Sequence, residues 1–128
     1  HDSSARTESL TVLDRLRLTA KADADVGSLT QVDLRRLELA RALATQPRLL
    51  ILDEVMAGLS SVEVDDMLET LAGLNNDGIT IVMIEHIMRA IMGFSQRVIC
   101  LDAGSIVADD EPAAVINSAI VQKIYLGG

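Results

Sequence analysis

Aromatic side chains are almost missing from this chain: Phe94 and Tyr125 are the whole supply, and there is no tryptophan. With 49% apolar residues over 128 positions, a single-domain core has to be built from Leu, Ile, Val, Ala and Met, and the five methionines read as gap fillers within it. Cysteine is nearly absent as well. Cys100 stands alone inside Val98-Ile99-Cys100-Leu101, which excludes an internal disulfide and predicts a buried, inert thiol. Basic side chains are outnumbered, 11 against 19 acids, and the net charge of −8 leaves no basic face for phosphate backbones, so nucleic acid is not expected as a partner. No apolar run approaches the roughly 18 residues of a membrane span, and the polar start His1-Asp2-Ser3-Ser4 is not a signal peptide. A soluble, cytoplasmic chain without direct membrane insertion is the expectation.

What is present begins with Leu49-Leu50-Ile51-Leu52-Asp53-Glu54, four aliphatic residues ending in two acids. A continuous apolar run of this length predicts a parallel strand covered on both faces, and acids at its carboxyl end project into the crevice where α/β sheets bind ligands. A second aliphatic run, Ile79 to Ile84, is followed by Glu85 and His86. In phosphoryl-transfer sites one acid of such a pair holds Mg²⁺ and the neighbouring acid orients or deprotonates the attacking water. Asp53 and Glu54 fit those roles, while the hexamer by itself fits equally well the start of a solvated loop.

Helix and strand alternate along the rest of the chain. Leu10, Leu13, Leu16 (or Arg17) and Ala20 mark a short amphipathic helix, followed by a polar connector from Lys21 to Ser28. Thr30 with Asp33 forms a capping-box-like start to a helix running on Leu34, Leu37, Ala40, Arg41 and Ala44 before Pro47. Arg35, Arg36, Glu38 and Arg41 on that helix read as a solvated, ion-paired face. Ser60 and Glu63 form a fuller capping box, with Leu59 and Val64 spaced as a staple, opening a helix on Val64, Met67, Leu68 and Leu71. Asn75-Asn76-Asp77-Gly78 turns the chain into the strand from Ile79. Ile87 to Phe94 reads as helix, Arg97 to Leu101 as strand, Asp102-Ala103-Gly104-Ser105 as a hairpin turn and Ile106 to Ala108 as the return strand. Pro112 opens the first of two short closing helices. This order predicts an α/β fold, a mostly parallel sheet flanked by helices with an antiparallel edge hairpin.

The segment from Leu29 through Ala44, the Thr45-Gln46-Pro47-Arg48 link, the strand with Asp53-Glu54, Ala57-Gly58-Leu59, Ile84-Glu85-His86 and the terminal Tyr125-Leu126-Gly127-Gly128 together resemble the second half of an ABC-transporter ATP-binding subunit. The wording is similar to that of branched-chain amino-acid importers. The resemblance implies a partial P-loop NTPase fold in one domain, 1–128. Residues 1–28 would be a remnant of the helical subdomain plus connector, and 29–128 would run from the signature helix to the carboxyl terminus. It implies Mg-ATP as cofactor in the intact parent, Asp53 as metal ligand, Glu54 as catalytic base and His86 as the switch histidine facing the γ-phosphate. A strand-end histidine capping the next helix is the plainer reading of His86. The parent's partners would be transmembrane permease subunits and a second ATP-binding subunit, at the inner membrane.

Two departures bear on that reading. The family's G-x-x-x-x-G-K-[ST] loop does not occur in this sequence; the near match Gly73-Leu74-Asn75-Asn76-Asp77-Gly78-Ile79-Thr80 has Ile at the lysine and runs from helix to strand. The signature loop Leu-Ser-x-Gly-Gln is here Leu29-Thr30-Gln31-Val32-Asp33. Thr30 to Asp33 would form the nucleotide-facing loop, with Val32 adding bulk where glycine admits an anion and Asp33 adding negative charge. The milder departures are Val55, often proline in the wider family, and Ser60, often aspartate. The expectation is an importer ATPase fragment, inactive alone, that binds no nucleotide tightly. The alternative is a non-catalytic, degenerate cassette acting as an interaction module. The unpaired strand edges of such a piece predict a homo-oligomer.

Overall fold

The computed structural model describes residues 2–125. The chain divides into two compact units, His1–Ile84 and Glu85–Gly128.

In the first unit, helix α1 (Asp2–Arg15) leads through two short 3-10 turns, Thr19–Lys21 and Val26–Ser28, into α2 (Gln31–Leu43), strand β1 (Leu49–Asp53), α3 (Ser61–Asn76) and strand β2 (Thr80–Ile84). Helix α1 is longer than its apolar spacing predicts. Residues 3–9 are exposed and carry no core residue, and Ala20 lies beyond the helix in a 3-10 turn, exposed. It ends in a Schellman arrangement, Leu18 N–H to Leu13 O at 2.8 Å and Arg17 N–H to Asp14 O at 3.0 Å, with Arg17 in the left-handed region at φ 59°. Leu16 and Leu18 on either side of Arg17 are buried. Helix α3 ends the same way, Ile79 N–H to Leu74 O at 3.2 Å and Gly78 N–H to Asn75 O at 3.0 Å, with Gly78 at φ 102°. The Gly73–Thr80 segment is thus a helix-to-strand turn, as its sequence context predicts.

Strands β1 and β2 pair in parallel, Leu49 with Thr80 through Asp53 with Ile84. Leu50 and Leu52 turn inward at 4% and 5% exposure, into a core shared with Met56, Val64, Met67, Leu71 and Leu74. The expectation of cover on both faces does not hold. Leu49, Ile51, Val82 and Ile84 are exposed, and the register sets them on one face of the sheet. The aliphatic run reports a strand composed for two covered faces; the described residues cover one.

Helix α2 also differs from its predicted stripe. Its buried residues are Asp33, Arg36, Leu39, Ala40 and Leu43, while Leu34 is exposed. The helix is rotated so that two charged side chains lie inward, where hydrogen bonds accommodate them.

The second unit comprises α4 (Met88–Phe94), β3 (Val98–Asp102), β4 (Ser105–Asp110), α5 (Pro112–Ile116) and α6 (Ala119–Tyr125). Strands β3 and β4 form an antiparallel hairpin with a bulge at Cys100/Leu101. Its two-residue turn has Ala103 and Gly104 at φ 47° and 83°, the left-handed pair that matches strand twist. The hairpin is a two-stranded sheet of its own among the described residues. Arg97 clamps Asp109 by two hydrogen bonds of 2.7 Å. Cys100 is half-buried rather than buried, because a two-stranded hairpin shields a side chain incompletely. Of the methionines, Met56 and Met67 fill the core of the first unit, whereas Met88 and Met92 are exposed. Pro112 opens α5 as expected. Residues 126–128, the last of the Tyr125-Leu126-Gly127-Gly128 motif, lie outside the described residues, as does His1 of the polar start. No helix among the described residues is long and apolar enough to cross a membrane.

Candidate functional site

Asp53 is the last residue of β1 and is exposed at the carboxyl end of the parallel pair. Glu54 follows in the left-handed region at φ 54°, and its N–H donates to Ile84 O at 2.9 Å, one step beyond the ladder. A non-glycine residue held there stores of order 1–2 kcal/mol of backbone strain and turns its side chain off the strand line. Two overlapping turns follow, Ala57 N–H to Glu54 O at 3.2 Å and Leu59 N–H to Met56 O at 3.1 Å, with fully buried Met56 as their anchor. Among the described residues no three His, Cys, Asp or Glu side chains gather as a ready metal cluster.

At the start of α2, Thr30 and Asp33 form a full capping box. Thr30 Oγ1 accepts from Asp33 N–H at 3.2 Å, and Asp33 Oδ2 accepts from Thr30 N–H at 3.1 Å. Lys21 Nζ also donates to Asp33 Oδ2. Burial opposes ionisation of Asp33, yet the hydrogen bonds from Lys21 and Thr30 and the Lys21 charge outweigh it and hold the carboxyl below its ordinary range. The free N–H groups that would favour an anion here are partly taken by the protein's own carboxylate, and Val32 is half-buried beside it. Sequence reasoning missed Lys21, since a lysine in an aperiodic connector carries no signal of its tertiary partner.

Gln31 points elsewhere. Its Nε2 donates to Ala57 O at 3.4 Å, so the loop at the start of α2 touches the loop that follows Glu54.

Arg36, expected on a solvated face, is 7% exposed. Its Nη1 donates to Leu16 O and to Thr70 Oγ1, both at 3.1 Å, tying the end of α1 to α3. Burial and the nearby Arg17 charge lower its pKa, partly offset by Asp66 and Asp33.

His86 falls in the second unit with Glu85. Its backbone N–H donates to Glu85 Oε1 at 3.2 Å and its exposed ring has Nδ1 3.9 Å from the same oxygen. The Glu85 side chain is 1% exposed, and its Oε2 has no hydrogen-bond partner among the described residues. The N-cap of α4 is Ile87, which makes no side-chain cap hydrogen bond. The structure thus brings Thr30 with Asp33, and Gln31 with the loop after Asp53-Glu54, while His86 belongs to the other unit.

No family model matches the chain. The high-affinity branched-chain amino acid transport ATP-binding protein LivG of Escherichia coli K12 is 38% identical over 126 residues, covering 98% of this chain and 49% of its own length. BraF of Pseudomonas aeruginosa, of the same description, is 37% identical over 116 residues, 90% of this chain and 46% of its own. The crystal structure of the ADP conformation of an ATP-binding cassette of an ABC transporter superposes with a TM-score of 0.88 at 26% identity, over 95% of this chain and 50% of that one. The chain spans about half the length of the curated relatives it matches. Sequence and fold agree: the chain belongs to the ATP-binding subunits of ABC transporters and matches about half of one.

Proposed function

We propose that this chain is the signature-to-switch part of the nucleotide-binding domain of an ABC importer, whose whole subunit couples Mg-ATP binding and hydrolysis to uptake of branched-chain amino acids. Glu54 carries the reading. It is an exposed carboxylate on a left-handed residue pinned to the neighbouring strand at the carboxyl edge of a parallel sheet. Asp53 beside it would hold Mg²⁺, which supplies charge neutralisation at the phosphates. Glu54 would take the proton of the attacking water, and His86 would hold that water. The substrate follows from the names of the relatives. The partners would be permease subunits and a second ATP-binding subunit, at the cytoplasmic side of the inner membrane.

A second reading, a degenerate cassette that does not hydrolyse ATP, draws support from the Lys21–Asp33–Thr30 closure of the α2 N-terminus. One set of measurements separates the two. In a subunit that joins this chain to an upstream phosphate-cradling half, Glu54→Gln should lower ATP hydrolysis by about 100-fold or more while ATP still binds, and His86→Ala should act in the same direction. The 128-residue chain alone should show no ATPase activity. Val32→Gly with Asp33→Gln in the joined subunit should raise turnover. Hydrolysis that survives Glu54→Gln would refute the catalytic assignment, and a joined subunit inert with and without the restored signature would establish the degenerate reading.

A further inference from the structure

We propose that Gln31 is a positioning residue for Glu54, acting through the peptide of Ala57. The inference rests on the reading of Glu54 as the catalytic base, and it assigns Gln31 to the loop after β1 instead of to nucleotide.

Hydrogen bonds run without a gap from the start of α2 to the edge of the sheet. Gln31 Nε2 donates to Ala57 O at 3.4 Å, Ala57 N–H donates to Glu54 O at 3.2 Å, and Glu54 N–H donates to Ile84 O at 2.9 Å. Ala57 and Glu54 each donate at the N–H and accept at the carbonyl, so the Glu54 backbone is held from two sides: by β2 at its N–H and by the Ala57 turn at its carbonyl. The first link is the longest and lies on an exposed side chain, which makes it the one most readily lost.

A second observation comes from Gly58. At φ 79° it adopts a conformation that side chains disfavour, and a Cβ built there would lie 2.8 Å from Gln31 Nε2 and 3.2 Å from Gln31 Oε1. The missing side chain is thus what admits the Gln31 amide against this loop. Glu54 at φ 54° needs such external support, since a strained residue persists only where its surroundings over-determine it. Met56 adds apolar support to the turn, and Gln31 adds a polar contact at its Ala57 carbonyl.

The test has two arms. In the 128-residue chain, amide hydrogen exchange is followed for Glu54, Ala57 and Leu59, with Met67 and Leu71 of α3 as internal controls. Gln31→Ala should speed exchange at Ala57 by about three- to tenfold, the range expected for loss of one hydrogen bond, and leave α3 unchanged. Gln31→Glu, which sets a carboxylate against the Ala57 carbonyl, should do at least as much, and Gln31→Lys, which restores an N–H donor, should recover protection. Unchanged exchange at Ala57 and Glu54 in both Ala and Glu variants overturns the proposal, as does a uniform rise that includes α3. In the joined subunit Gln31→Ala should lower kcat for ATP hydrolysis several-fold with KM unaltered, with recovery in Gln31→Lys. A rise in KM at constant kcat would mean that Gln31 contacts nucleotide, and would overturn the proposal. Should Glu54→Gln leave hydrolysis intact, the catalytic reading of Glu54 fails; the exchange arm still decides whether Gln31 positions the loop.

Discussion

Helices α2 and α3 start alike and are buried differently. Both open on a reciprocal capping box, Thr30 with Asp33 and Ser60 with Glu63. From there α3 buries Val64, Met67, Leu71 and Leu74, with Thr70 as its one polar member, whereas α2 buries Asp33 and Arg36 before reaching Leu39, Ala40 and Leu43. The same local motif therefore begins a helix docked by oil and a helix docked in part by charge. Apolar burial tolerates small shifts of a helix about its axis; a buried carboxylate and guanidinium do not, because each must meet its own partners. α2 is in that sense held in register by Lys21, Leu16 O and Thr70, and α3 by volume.

The sharpest way to expose the difference is at the two helix centres. Met67→Ala, at a site with 0% exposure, should cost about 2–5 kcal/mol in denaturant unfolding, the range for truncating a core methionine. Arg36→Met, which keeps much of the stem but drops two donors, should cost about 1–3 kcal/mol through the unpaired Leu16 carbonyl. If Arg36→Met proved as stable as the parent chain, the claim that charge sets the register of α2 would fail.

The smallest effect separates the capping acids. Asp33→Asn should destabilise by about 1 kcal/mol near neutral pH, and Glu63→Gln, whose exposed box is held among the described residues by Ser60 without a lysine, by a few tenths. The folded-state pKa of Asp33 is depressed, so its contribution is present above its unfolded value and disappears as pH falls through the folded one. The gap in unfolding midpoint between the parent chain and Asp33→Asn should accordingly close in acid. Asp109, held low by Arg97, contributes acid sensitivity to both proteins and drops out of the comparison. A gap that persisted at low pH would mean that Asp33 stabilises through shape rather than charge.

The contrast between the helices also explains what could be read in advance. α3 announces itself because its cap and its apolar spacing agree, so Ser60 and Val64 locate the start and the buried face together. In α2 the apolar residues Leu34 and Leu37 suggest one face while Asp33 and Arg36 occupy the core, and only tertiary partners more than ten residues away decide between them. The position of Asp53-Glu54 at the carboxyl end of a strand is legible because a short aliphatic run ends at the two acids. The left-handed backbone of Glu54 and the approach of Gln31 to Gly58 are not, since nothing local at Glu54 or Gln31 encodes them. The open face of Leu49, Ile51, Val82 and Ile84 reads as covered in the sequence, because a strand's composition records its cover without naming where that cover lies in the chain.

The register of the parallel pair has a kinetic side. Asp102 meets Ser105 across a two-residue turn, so the hairpin can close within about 1–10 μs. Leu49 meets Thr80 only after about thirty intervening residues have been gathered in, a closure whose entropy is lost before the pairing repays it. Formation of α3 shortens that search by turning most of the loop into a rod. The Glu54 N–H finds Ile84 O no earlier than this step, so the acids acquire their setting in the slower of the two strand-pairing events. Substitutions that weaken α3 without touching the β1–β2 ladder should therefore slow folding as well as speed unfolding, and a chain caught before that closure would carry Asp53 and Glu54 on a loop with no fixed direction.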